Sequence, residues 1–189
     1  MEAKGKGAGE AGAGEVPWAQ VKRVEGTVVR GHRVASGLNG NPRFPGGTLR
    51  MQVPFFLERG LDLRGFYLGT LNVDVRPRGV RPVRARSTVR GLKWHPEDPA
   101  EDFSFFDVRM RFGGAEGAEG GGGDGREVEG FIYYPHPETK PTHFQEGSVL
   151  ELLLPYTEGL EYGERVWLEV PQEQMIFPEA RGRDLGAWG

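Results

Sequence analysis

The 189-residue chain contains no cysteine, so disulfide bonds, zinc–thiolate sites and thiol catalysis are excluded. It also lacks an apolar run approaching the roughly 18 residues of a membrane span, and its first residues contain no apolar secretion-signal segment. The net charge of −3 gives no general attraction to nucleic acid or to a membrane surface. These absences predict a cytoplasmic protein with neither a membrane nor nucleic acid as its expected partner.

Glycine and proline are abundant, with 31 and 14 residues, and both break helices. The segment 54–63 predicts one short helix, with Pro54 in its first turn and Gly60 as its C-terminal cap. A long Gly-rich loop is predicted over 31–47, and irregular strands over 76–94. Seven further segments have the alternation or apolar run of β-strands: 18–31, 48–53, 65–75, 103–112, 127–135, 148–155 and 164–170.

This pattern predicts a mostly β fold, a single closed six- to seven-stranded β-barrel with one short helix. The barrel domain is expected to span residues 16–175. Residues 1–15 are rich in Gly, Ala, Glu and Lys, so we expect a disordered tail there. Residues 113–126 predict a mobile Gly-rich connection, and 176–189 form a C-terminal tail without periodic pattern.

The segment "GFYLGTLNVDV" (65–75) has a glycine, a hydroxyl and an amide at the centre of a predicted strand, although glycine and asparagine are poor strand formers. Residues i and i+2 of a strand share a face, so Thr70 and Asn72 would present two neutral oxygens side by side. Mg²⁺ prefers oxygen ligands and takes few of them from protein when a nucleotide supplies phosphates. The alternative is a Thr-x-Asn pair that bonds across a bulge or turn.

Glu151 is the one acid in the apolar segment "SVLELLLP" (148–155). A carboxylate within such a strand is costly unless it is paired or faces a cavity, which favours a place in a binding site. The alternative is that Glu151 points outward on an alternating strand. The segment 76–94 contains seven Arg or Lys residues and no acid, which is typical of a solvated face, of phosphate binding or of RNA binding.

Three pieces of the chain, in this order, resemble the archaeal-type CTP-dependent riboflavin kinases: "VEGTVVRG", then "PFFLERGLDLRGFYLGTLNVDV", and later "YYPHPETKPTHFQEGSVLELLLPYTEGLEYGERVWLEV". The resemblance covers roughly residues 24–75 and 127–170 and implies a divergent member with a cradle-loop β-barrel. Such an enzyme is a transferase that moves a phosphoryl group from CTP to riboflavin, giving FMN, with Mg²⁺. The implied small-molecule partners are riboflavin or FMN and a nucleotide.

The resemblance also implies roles for single residues. Thr70 and Asn72 would hold the magnesium ion. The matching flavin-binding residues are Thr142 and Glu151, with His143 as a second candidate, and Glu151 would be catalytic by accepting the proton of the ribityl hydroxyl or by holding it in line.

The nucleotide phosphates would bind at Gly46, Gly47 and Thr48, because backbone N–H groups of a Gly-rich loop commonly hold phosphates.

The chain departs from the family at two places. Its loop 31–47 is long where the family has a compact glycine loop, and "YTEG" (156–159) stands where the family has a short basic stretch. These departures favour a second hypothesis, a barrel that binds flavin or nucleotide but has lost the kinase donor site. The Arg-rich segment 76–94 leaves a third, an RNA-binding barrel. No pattern in the sequence indicates the donor nucleotide or the oligomeric state.

Overall fold

A computed structural model of the chain describes residue 18 and residues 20–113, 125–139 and 147–179. The predicted tail 1–15, most of the predicted loop 113–126 and most of the tail 176–189 lie outside the described residues. The described part has one helix, α1 (Thr48–Glu58). Its strands are β1 (Val21–Val29), β2 (Leu71–Asp74), β3 (Arg81–Pro82), β4 (Ser87–Leu92), β5 (Glu101–Phe112), β6 (Arg126–Pro135), β7 (Val149–Leu153), β8 (Arg165–Pro171) and β9 (Met175–Ile176).

Seven strands form one antiparallel sheet in the order β4-β5-β6-β7-β2-β1-β8. Strand β8 pairs with β1 over its whole length and also with β5, where Met110 is opposite Leu168. Strands β3 and β9 form a separate two-stranded sheet. A mostly β fold with one helix is therefore confirmed for the described residues.

Two apolar clusters pack on opposite faces of the large sheet. Because side chains alternate along a strand, β5 contributes Val108 and Met110 to the first cluster and Phe103 and Phe105 to the second. The second cluster fills the space between the sheet and α1, where the ring of Phe56 lies 5.2 Å from the rings of Phe103 and Phe105. The helix is thus fixed against the outer face, which is the face away from the first cluster.

The predicted strand over 48–53 is wrong, because these residues form the first half of α1. Leu49, Gln52 and Phe56 are buried at the i, i+3, i+7 spacing of a helix, which six alternating residues do not distinguish from a strand. Pro54 lies inside the helix rather than in its first turn, and its ring is on the exposed side. The helix ends as predicted near Gly60, whose φ of 84° suits glycine. No helix among the described residues has the length and apolar character needed to span a membrane.

The predicted strand over 65–75 is shorter than expected and begins only at Leu71. The preceding residues form a bend, in which the Tyr67 N–H donates to the Leu154 carbonyl (2.9 Å) and the Gly69 N–H donates to the Tyr67 carbonyl (2.9 Å). Thr70 therefore lies just before the strand and Asn72 within it. The other predicted strands 18–31, 103–112, 127–135, 148–155 and 164–170 correspond to β1, β5, β6, β7 and β8.

Candidate functional site

Three polar side chains form a row across neighbouring strands on the outer face. Asn72 of β2 is directly opposite Glu151 of β7, and Glu151 is directly opposite Tyr133 of β6. The flanking residues Leu150 and Leu152 belong to the first cluster, so Glu151 faces away from it. The sheet register thus brings together residues that are far apart in the chain.

A cavity of about 280 Å³ lies beside this row. One wall comes from the loop 31–47, and the others come from the start of α1, the bend before β2, and the strands β5, β6 and β7. Of the residues that the sequence predicted for the site, Thr48, Thr70 and Glu151 line this cavity. Asn72 is buried, with 4% of its surface exposed, and lies next to the lining residues Thr70 and Glu151. Thr142 and His143 lie outside the described residues.

Thr70 and Asn72 are in contact. The Thr70 hydroxyl donates to Asn72 Oδ1 at 3.4 Å, so the two predicted ligand oxygens are neighbours, although Thr70 precedes the strand. Adjacent ligands in an octahedral Mg²⁺ shell with bonds of 2.0–2.1 Å are about 2.9 Å apart. The bond between Thr70 and Asn72 is the Thr-x-Asn contact at a turn that the alternative interpretation predicted. The two oxygens are also of the type that Mg²⁺ accepts, and the carboxylate of Glu151 is on the neighbouring strand.

The space for the Asn72 side chain depends on Gly31. A Cβ atom at residue 31 would lie 2.6 Å from Cγ, Oδ1 and Nδ2 of Asn72, closer than packed atoms allow. Gly31 does not have a positive φ, so its role is the close approach and not a special backbone conformation. This glycine was predicted only as part of the Gly-rich loop.

We expect Gly31→Ala to displace the Asn72 amide and to lower any metal-dependent activity of the site about tenfold or more, because metal sites tolerate little movement of their ligands. The unfolding free energy should fall by about 1–3 kcal/mol from overpacking. Gly65→Ala is the matched control, since a Cβ there meets no described atom within 4 Å. Urea unfolding and turnover of both variants check this, and equal turnover of the two would contradict it.

The predicted phosphate-binding turn at 46–48 is held tightly to the rest of its loop. The Gly47 N–H donates to the Phe44 carbonyl (2.9 Å) and the Thr48 N–H donates to the Val34 carbonyl (3.1 Å). Both glycines of the turn have positive φ, 78° for Gly46 and 92° for Gly47. In this arrangement the amides of Gly47 and Thr48 are occupied, so neither offers a free donor to a phosphate.

Tyr133 connects the row to the helix. Its hydroxyl donates to Gln52 Oε1 of α1 at 2.9 Å, and both residues are buried. Burial raises the pKa of the Tyr133 phenol well above its ordinary value, and the nearby carboxylates of Glu151 and Glu101 raise it further. Tyr133 therefore stays a neutral hydrogen-bond donor beside the cavity throughout the physiological pH range.

Alkaline pH should destabilise the protein through this group. The pKa of Tyr133 is higher in the folded protein than in the unfolded chain, where it is near 10. The neutral phenol therefore stabilises the fold below about pH 10, and this stabilisation is lost as the pH rises through the folded-state pKa. We expect the urea midpoint to fall as the pH rises above about 10, and Tyr133→Phe to reduce that fall. The variant starts about 1 kcal/mol less stable because it lacks the bond to Gln52. Parallel pH profiles for the two proteins would contradict this prediction.

Several contacts between residues of the cavity wall were not predicted from the sequence. Arg43 Nη2 lies 2.6 Å from Asp98 Oδ1, which ties the loop 31–47 to the segment before β5. Phe44 packs in the same place, its ring 5.7 Å from that of Trp94. Trp94 Nε1 donates to Glu101 Oε1 at 2.8 Å. Such contacts between distant residues follow from the fold and not from local spacing. Gln52 was missed because its segment was interpreted as a strand.

The Arg-rich segment 76–94 is largely ion-paired. Arg76 pairs with Asp74 and Arg86 with Asp107, and Arg78, Arg84 and Arg90 pair with Glu179, Glu173 and Asp102. Five of its six arginines thus have an acidic partner. Of the three interpretations of this segment, these ion pairs favour the solvated face.

No protein-family model, curated protein or solved structure matches the chain. Among the described residues, no group of three or more His, Cys, Asp or Glu side chains is arranged to hold a metal ion. A magnesium site at Thr70 and Asn72 would not be such a group, because its protein ligands are a hydroxyl and an amide.

Proposed function

We propose that the chain is a riboflavin kinase-like phosphotransferase that moves a phosphoryl group from a nucleoside triphosphate to riboflavin with Mg²⁺. The observation that carries this proposal is that Thr70 and Glu151 line one cavity, with Asn72 in contact with Thr70. These are the positions for which the resemblance implies metal and acceptor roles. CTP is the donor that the resemblance implies.

The proposed chemistry needs mainly positioning and charge neutralisation. Thr70 and Asn72 would hold the magnesium ion, which would neutralise charge on the donor phosphates when bound. Glu151 lines the cavity and would orient the ribityl hydroxyl or accept its proton. A cavity of about 280 Å³ is at the small end for a ligand pocket, so it suits the reacting ends of the two substrates with their remaining parts outside.

A closed cradle-loop barrel is part of the same proposal. It is supported by the second pairing of β8. This strand is the last in the order of the sheet, and it pairs with β5, the second strand in that order, as well as with β1. Closure would leave β4 as an additional strand on β5. It would also give the outer row a rigid support, which a phosphotransfer site requires.

The experiment is quenching of riboflavin fluorescence by the purified protein, followed by chromatography for FMN after addition of Mg²⁺ with CTP, ATP, GTP or UTP in turn. FMN formation with one nucleotide supports the kinase and identifies its donor. Riboflavin binding without FMN from any of the four would overturn the phosphotransferase proposal.

A second candidate function, ligand binding without turnover, is favoured by one observation. The amides of Gly47 and Thr48 already donate to loop carbonyls, so the donor site is not formed there as the resemblance implies. The same experiment distinguishes the two candidates, because a binding protein would quench riboflavin fluorescence and yield no FMN.

A further inference from the structure

We propose that Arg33 is the phosphate-binding residue of the cavity, taking the role that the sequence suggested for the 46–48 amides. The ligand class, a compound with a terminal phosphate chain, rests on the proposed function. The residue lies in the long loop 31–47.

The first support is the position of Arg33 and its lack of a partner. Arg33 lines the cavity together with Thr48 and Thr70. Its guanidinium forms no ion pair or hydrogen bond with any residue in the described ranges. Arg43 is the other arginine of the lining, and it is already paired with Asp98 at 2.6 Å and with Glu97 at 3.5 Å. Arg33 is an exposed residue, so the donors of its side chain are open to solvent and accessible to a ligand.

The second support is the backbone of Arg33. Its φ is 57°, and it is the only described residue other than glycine with a positive φ. This conformation is costly for an L-residue with a long side chain, and such outliers cluster at functional sites. Local bonds hold it, since the Gly37 N–H donates to the Val34 carbonyl at 3.2 Å and Ser36 Oγ donates to the Arg33 carbonyl at 3.4 Å. A glycine here would be less strained, so the arginine is better explained by its side chain.

The distribution of charged residues around the cavity indicates how a phosphate-bearing ligand would be oriented. Arg33 and Arg43 come from the loop, whereas the carboxylates of Glu101 and Glu151 come from strands β5 and β7. Asp98 is offset by Arg43. A phosphate would be attracted to Arg33, whose planar guanidinium offers paired donors. The phosphate end of a ligand is therefore expected at the loop, near Thr70.

The experiment is calorimetric titration of the full chain with inorganic tripolyphosphate at low and moderate salt. Arg33→Gly removes the cation and relieves the backbone strain, so it should weaken binding about tenfold and flatten the salt dependence while the melting temperature stays the same or rises. Arg33→Lys should retain part of the affinity because it keeps the charge. Arg59→Ala, at the other end of α1, is the control and should bind like the parent protein.

The proposal is overturned if the parent protein does not bind tripolyphosphate, or if Arg33→Gly binds it as tightly as Arg59→Ala. Its failure is separable from that of the proposed function. Arg33-dependent binding without FMN formation would reject the kinase and keep the phosphate site. FMN formation at the parent rate and donor KM in Arg33→Gly would keep the kinase and reject the phosphate site.

Discussion

Asn72→Ala is expected to lower phosphoryl transfer to riboflavin by at least about 100-fold while the protein stays folded. The substitution removes the amide oxygen that contacts the Thr70 hydroxyl at 3.4 Å, and with it one of the two proposed protein ligands of the magnesium ion. The residue faces away from the first apolar cluster, so the unfolding free energy should fall by about 1–2 kcal/mol only. Initial rates of FMN formation and urea unfolding measure the two effects separately.

The matched variant for this test is Asn72→Asp, which keeps an oxygen at the same place. It should retain metal-dependent turnover and require a lower Mg²⁺ concentration for half-maximal rate, because a carboxylate binds Mg²⁺ more strongly than an amide. If Asn72→Ala forms FMN at the parent rate at limiting Mg²⁺, the metal assignment is wrong.

Glu151→Gln should lower kcat for FMN formation by about 10²–10⁴-fold, since the amide cannot accept the proton of the ribityl hydroxyl. Riboflavin affinity should change little, because the side chain keeps its shape. A second readout does not depend on activity. Removing the negative charge beside Tyr133 should lower the raised pKa of that phenol, which a spectroscopic titration detects as a difference from the parent protein.

The control for Glu151→Gln is Glu158→Gln, which changes an exposed acid of the "YTEG" segment. It should leave both kcat and the Tyr133 titration unchanged. If Glu151→Gln lowers the pKa of Tyr133 but leaves kcat at the parent value, Glu151 is a structural neighbour of the cavity and not a catalytic residue.

The strand assignments show what local pattern can and cannot determine. Period-2 alternation located β5 and β8, and an apolar run located β7, because buried residues recur along each of these strands. The same alternation misassigned 48–53, since Leu49, Met51 and Val53 alternate by accident while packing on Phe103 and Phe105 selects a helix. Tertiary packing outweighed the local pattern there.

The sequence singled out three residues that the structure places at or beside one cavity, but it did not predict the residues that enclose this cavity. Thr70, Asn72 and Glu151 were recognisable because polar groups within strand-like segments are costly without a role. The cavity itself depends on Arg43 meeting Asp98, 55 residues away, and on Gln52 meeting Tyr133, 81 residues away. No local spacing encodes such contacts. The free side chain and unusual φ of Arg33 likewise emerge only from the folded chain.

The most direct test of the central claim is to incubate the purified protein with riboflavin, Mg²⁺ and CTP labelled in its γ-phosphate, and to follow the label by chromatography. The account predicts that the label appears in FMN with the parent protein, depends on Mg²⁺ and is nearly absent with Asn72→Ala. Label that stays in CTP, or is released only as inorganic phosphate, would contradict phosphoryl transfer from CTP to riboflavin at this site.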